Sequence, residues 1–187
     1  MTGRARTATI ILIAVLVVVG LALLPSLGLK RYYVTLMTQV LILGIAAASL
    51  DLLAGVGNMV SFGHTIFFGI GAYTVAILAT KAGVTGYFPT LLAAAGMAFA
   101  VALVTGLIAL RATGVGFLII TLALNQVVWG LAFQWMALTG GENGIFGFSR
   151  GPIFGLKANG NVYYLFCLAM AVLLVSGLYF VYRSPFG

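Results

Sequence analysis

Charge falls so rarely along this chain that it divides the sequence into six long uncharged runs. They cover residues 7–29, 32–50, 52–80, 82–110, 112–141 and 158–182. About 20 apolar residues, at about 1.5 Å of rise each, cross a hydrocarbon core of about 30 Å, and the shortest run, 32–50, already approaches that length. Barrel strands would show segments of about 10 residues with alternating polarity, and no such alternation is present. In lipid the backbone must satisfy its own hydrogen bonds within the segment. The sequence therefore predicts an all-α fold, a polytopic transmembrane helical bundle of about six membrane segments.

Composition closes off the other classes. Hydrophobic residues make up 63% and charged residues 6% of the 187, against about 25% charged in a soluble domain. The net charge of +7 comes from nine scattered Lys and Arg with no basic patch, so nucleic acid is not an expected partner. Cys167 is the sole cysteine, which excludes a disulfide framework. With no Cys, Asp or Glu at ligand spacing, no metal site is expected. No phosphate loop, dinucleotide fingerprint, zinc signature or catalytic triad occurs, so no enzymatic activity and no cofactor are expected.

The spans are placed at about 8–24, 33–53, 67–79, 88–110, 116–136 and 162–182. Pro25 closes the first. Arg4 and Arg6 precede it, so a signal peptide is its rival, but the apolar run is long for one and no Ala-x-Ala site follows. Six crossings leave both termini on one side, with Arg4, Arg6, Arg111 and Arg183. Lys30, Arg31, Lys81, Arg150 and Lys157 fall on the other. Four against five does not orient the chain by charge; the leading helix favours a cytoplasmic N-terminus.

Several features are candidates for function. Gly55, Gly57, Gly63, Gly69 and Gly71 lie within 17 residues. They fit tight helix packing, or a broken or re-entrant segment near 54–66 that lines a solute path. Asn58, Ser61 and His64 in the same stretch favour the broken segment. Asp51 is one of two acids and reads as an interfacial anchor or hydrogen-bond partner more readily than as a proton relay. His64 reads as a packing residue or as a titrating group. Thr121 and Asn125 share a helix face, with Gln126 beside them; interhelical hydrogen bonding and a polar stripe along a solute path both account for them. The Gly140-Gly141-Glu142-Asn143-Gly144 turn lies in a polar loop, 137–160, that is long for a connector and could dock a partner.

Four strings carry a resemblance. They are Leu50-Asp51-Leu52-Leu53-Ala54-Gly55; Val60-Ser61-Phe62-Gly63-His64 with Phe67-Phe68-Gly69-Ile70-Gly71-Ala72-Tyr73; Gly116 through Gln126; and Leu138 through Ile145. Their order and spacing over about residues 41–187 resemble the inner-membrane permeases of branched-chain amino acid ABC transporters, most closely the M-type subunit. Related urea permeases share much of the pattern. The resemblance implies a bacterial inner-membrane protein with a cytoplasmic N-terminus. It also implies a second homologous permease, two cytoplasmic ATPase subunits and a periplasmic substrate-binding protein as partners. It makes Ser61, His64, Phe67, Asn125 and Gln126 the expected path residues, and Gly140, Gly141, Glu142, Asn143 and Gly144 the expected docking loop. Many family members carry an acid where Gln126 stands and a base where Trp129 stands, so that ion pair is missing here. The family's coupling loop begins where this chain reaches Arg183, so 1–187 is expected to be one permease domain, incomplete at its C-terminus and unable to transport alone. An ion-gradient-driven transporter, with Asp51 and His64 as proton carriers, and a structural membrane subunit are the rival readings.

Overall fold

The computed structural model describes residues 16–27, 30–55, 57, 59–84, 86–147 and 159–184. Expectations that touch Arg4, Arg6, residues 8–15, Asn58, Arg150 and Lys157 lie outside these residues.

Among the described residues the secondary structure is entirely helical. Helix α1, Leu16–Ser26, ends in a 3-10 turn at Leu24–Leu27. It is followed by α2 (Arg31–Gly55), α3 (His64–Lys81), α4 (Tyr87–Ala109), α5 (Val115–Gln134), the short α6 (Met136–Thr139) and α7 (Gly160–Arg183). Four of these, α2, α4, α5 and α7, are long and apolar enough to cross a membrane. Six crossings were expected. The two that differ are α1, described from Leu16 onward, and α3, whose 18 residues carry His64 and Lys81 at their ends. At 1.5 Å per residue α3 is about 27 Å long.

The helices are apolar around their whole circumference, as membrane solvent requires. Leu92, Leu107 and Phe180 are more than two-thirds exposed, a placement that costs nothing against acyl chains. Packing relies on small residues and self-satisfied hydroxyls. Ala76, Thr90, Ala94, Thr105 and Ala109 are buried, where α3 and α4 form an antiparallel hairpin. Thr74, Thr80 and Thr105 each donate to the carbonyl four residues earlier, which removes the cost of a lone hydroxyl in an apolar setting.

Helices α2 and α7 form the other main contact, and they run parallel. Gly160, the first residue of α7, sits against the side chain of Arg31, the first residue of α2. Val34, Tyr164 and Leu168 make the buried cluster between them, flanked by Leu21, Ala22, Met37 and Leu41. Tyr164 also anchors α1, its hydroxyl donating to the Leu21 carbonyl at 3.0 Å. Four residues after Leu21 comes Pro25, which has no N–H to offer that carbonyl. The phenol supplies the donor that proline withholds.

The Tyr87 and Phe166 rings meet edge-on at 4.7 Å, which joins the start of α4 to the start of α7. Lys30, Arg31 and Lys81 therefore share one end of the bundle. Arg111 and Arg183, just past α4 and at the last turn of α7, share the other. The two-sided division of charge expected from the sequence holds for these five residues.

Candidate functional site

Between α2 and α3 the described residues 57 and 59–63 are not helical, and several of their backbone amides have specific partners. A Cβ on Gly57 would approach the Leu53 carbonyl oxygen to 2.7 Å, so the chain can leave α2 here only at glycine. The Met59 amide then donates to that Leu53 oxygen at 3.3 Å. Ser61 is buried and its hydroxyl accepts from the Gly63 amide at 3.1 Å. The Phe62 amide donates to Thr121 Oγ1 at 3.2 Å, and the Thr121 hydroxyl donates to its own Leu118 carbonyl at 3.0 Å. One residue into α3, the Thr65 hydroxyl donates to Asn125 Oδ1 at 2.9 Å.

These contacts fix the depth of the break. Thr121 lies about 9 Å and Asn125 about 15 Å along α5 from Val115, so α3 begins close to the midpoint of α5. Irregular backbone survives at such depth only where protein or a cavity covers it. Thr121 and Ser61 supply that cover.

A cleft of about 990 Å³ opens from this point toward the Lys81 end, at the upper limit of ordinary small-molecule sites. One face of α3 lines it through Thr65, Gly69 and Tyr73, and α5 faces it with Asn125, Gln126 and Trp129. Its mouth is formed by Trp135, Glu142 and Asn143. The walls combine aliphatic surface with amides and hydroxyls, and among the described residues Glu142 is the only carboxylate in the lining.

The mouth is held by a shaped turn. Trp135 interrupts the helix between α5 and α6 with φ −82° and ψ 67°. Gly140 takes the left-handed conformation at φ 76°, its amide closing on Met136 O at 3.2 Å. A Cβ there would overlap the Gly144 carbonyl, and one on Gly141, at φ 59°, would overlap the Met136 sulfur. The Thr139 hydroxyl reaches back to the Ala132 and Trp135 carbonyls and accepts from the Gly141 amide. Lys81, at the end of α3, donates to the Ala137 carbonyl, tying the α3 C-terminus to this turn.

Of the residues singled out from sequence, Asn125, Gln126, Gly141, Glu142, Asn143 and Gly144 come together around the cleft. Gly140 shapes the same turn. Ser61, His64 and Phe67 are not in the lining; they sit at the break and the first turn of α3. His64 packs edge-on to Phe67 with ring centres 6.3 Å apart, and its Nδ1 is buried without a hydrogen-bond partner among the described residues. Thr65 and Tyr73 were not anticipated. Their four-residue spacing with Gly69 was the available signal, hidden because every face of α3 is apolar. Among the described residues no group of His, Cys, Asp and Glu is arranged to hold a metal.

A bundle of membrane-length helices, in which α3 starts beside the middle of α5 and a mainly apolar cleft with a few polar groups opens between them, defines a multi-pass membrane protein. Residues 32–187 match the family model described as branched-chain amino acid transport system / permease component, and the chain belongs to that family. The match takes in nearly all of α2 and starts nine residues before the 41–187 stretch of the resemblance. The chain is 32% identical over 128 residues to the high-affinity branched-chain amino acid transport system permease protein LivM of Escherichia coli (strain K12), covering 68% of this chain and 30% of that protein. It is 30% identical over 128 residues to the LivM protein of Salmonella typhimurium (strain LT2), with the same coverage. The chain thus spans about 30% of the length of these curated relatives. No solved structure matches it.

Proposed function

We propose that this chain forms part of the solute path of an ATP-driven importer for branched-chain amino acids in the bacterial inner membrane. The observation that carries the reading is the cleft. It starts beside a helix break and runs between α3 and α5, past Asn125 and Gln126, to the Gly140–Gly144 turn, with aliphatic walls suited to a branched side chain and amides suited to the polar end of an amino acid. Family membership supplies the solute class.

ATP hydrolysis belongs to two cytoplasmic ATPase subunits rather than to this one. A second homologous permease completes the path. The end bearing Lys81 and the Gly140–Gly144 turn faces the periplasm, where a soluble binding protein delivers solute to the mouth; the N-terminus is then cytoplasmic. Asn125 and Gln126 line the path. Ser61, His64 and Phe67 hold the break that lets α3 move against α5, in keeping with alternating access around a discontinuous helix.

The test is leucine uptake by the full-length gene product, co-expressed with these partners in a host stripped of its own branched-chain importers. Uptake that stops on ATP depletion while the proton gradient is clamped is the expected result. Uptake that persists overturns the energy source, and absence of leucine uptake overturns the solute.

A further inference from the structure

The mouth of the cleft has a chemistry distinct from its floor. Asp51 and Glu142 are the two acids of the sequence, and Asp51 sits near the far end of α2. Among the described residues Glu142 is therefore the only side-chain carboxylate that lines the cleft. Aromatic rings share the lining with it. Trp129 and Phe133 stack at 5.1 Å with 22° between their planes, and Trp135 lies between them and the turn. A carboxylate and aromatic rings lining one cleft can together bind organic ammonium ions, by ion pairing and by the cation–π attraction of the rings.

Position and rigidity agree with this. The Gly140, Gly141 and Gly144 backbones all have positive φ, and Thr139 pins the turn to the last turn of α5, so Glu142 rides on a preorganised segment. The one described cation at this end of α3, Lys81, is engaged by the Ala137 carbonyl. Asn125 lies nine residues before Gln134, about 14 Å deeper along α5. Asn125 therefore lies deeper in the cleft than Glu142, and a solute entering from the mouth meets Glu142 first. Asn125 accepts from Thr65 through Oδ1, which leaves its NH2 as a donor suited to a carboxylate.

We infer that Glu142, with Trp129, Phe133 and Trp135, is an ammonium-recognising station at the mouth of the cleft, which admits solutes by their protonated amine before the amides of Asn125 and Gln126 meet the carboxylate. This rests on the cleft being the solute path.

The experiment is radiolabelled leucine binding to the purified full-length transporter complex without its binding protein, competed by 3-methylbutylamine (leucine lacking its carboxylate) and by 4-methylpentanoate (leucine lacking its amine). The amine is expected to compete strongly and the acid only weakly, through the amides alone. Glu142→Gln is expected to weaken leucine binding about tenfold or more, the loss of one charged hydrogen bond, while Glu142→Asp keeps most of it. Equal competition by both analogues, unchanged binding in Glu142→Gln, or equal loss in Glu142→Gln and Glu142→Asp overturns the inference. So does a wild-type complex that imports leucine yet does not bind it. A wild-type complex that imports no leucine overturns the proposed function instead.

Discussion

Thr65 and Asn125, 60 positions apart in the chain, are joined by a single hydrogen bond of 2.9 Å that sets where α3 starts against α5. Because α3 enters beside the middle of α5, the cleft has a floor, and its polar groups lie at that floor as well as at the mouth.

That bond can be measured by a double-mutant cycle of Thr65→Val and Asn125→Ala. Interhelical hydrogen bonds in membranes contribute about 0.6 kcal/mol on average and up to about 1.7 kcal/mol. A coupling free energy within that range is expected from detergent-driven unfolding of the purified protein. Strict additivity would mean the two side chains do not interact.

Thr121 is the acceptor for an amide that has no helix to serve it. Thr121→Val leaves the Phe62 N–H unpaired, at a cost of about 1–3 kcal/mol, while Thr121→Ser keeps the acceptor. Hydrogen exchange followed by mass spectrometry should show faster exchange in the 59–64 segment for valine alone.

Tyr164→Phe removes the donor to Leu21 and should destabilise the protein by about 1–2 kcal/mol. The same change made in a Pro25→Ala background should cost less, since alanine supplies the missing N–H to that carbonyl. Thermal unfolding of the four proteins gives the comparison; an equal cost in both backgrounds would show that Pro25 is not the reason for the bond.

Glycine substitutions should divide by backbone geometry. Gly140→Ala and Gly141→Ala meet both positive φ and overlapping atoms. Each should lower the unfolding temperature, with the backbone conformation alone costing about 1–2 kcal/mol. Gly96→Ala, mid-helix and facing open space, should be neutral or stabilising by up to about 1 kcal/mol.

Much of the helical layout was legible because charge is so scarce. The span expected at 88–110 is Tyr87–Ala109, and that expected at 162–182 is Gly160–Arg183. Errors arose where local chemistry misleads. His64-Thr65-Ile66 read as part of the break, yet begins α3, because Ser61 and Thr121 satisfy the amides just before it and free the helix to start there. The span placed at 116–136 ends at Gln134, since Trp135 leaves helical geometry and α6 restarts toward the turn. Asn125 and Gln126 were visible as polar residues in an apolar run. Thr65 and Tyr73 were not, because a threonine or tyrosine in a membrane helix has no sequence mark that separates packing from lining.

The sequence by itself determined the solvent, the helical class and the division of Arg111 and Arg183 from Lys30, Arg31 and Lys81. Each follows from hydrophobicity and charge, which act residue by residue. Tertiary structure alone decided that α2 runs parallel to α7, that Tyr164 completes the proline-interrupted α1, and that the Glu142 turn and Asn125 open on one cleft. In lipid every apolar face is as well solvated as any other. Hydrophobic pattern therefore cannot choose the pairing, and close packing with a few directed hydrogen bonds makes the choice.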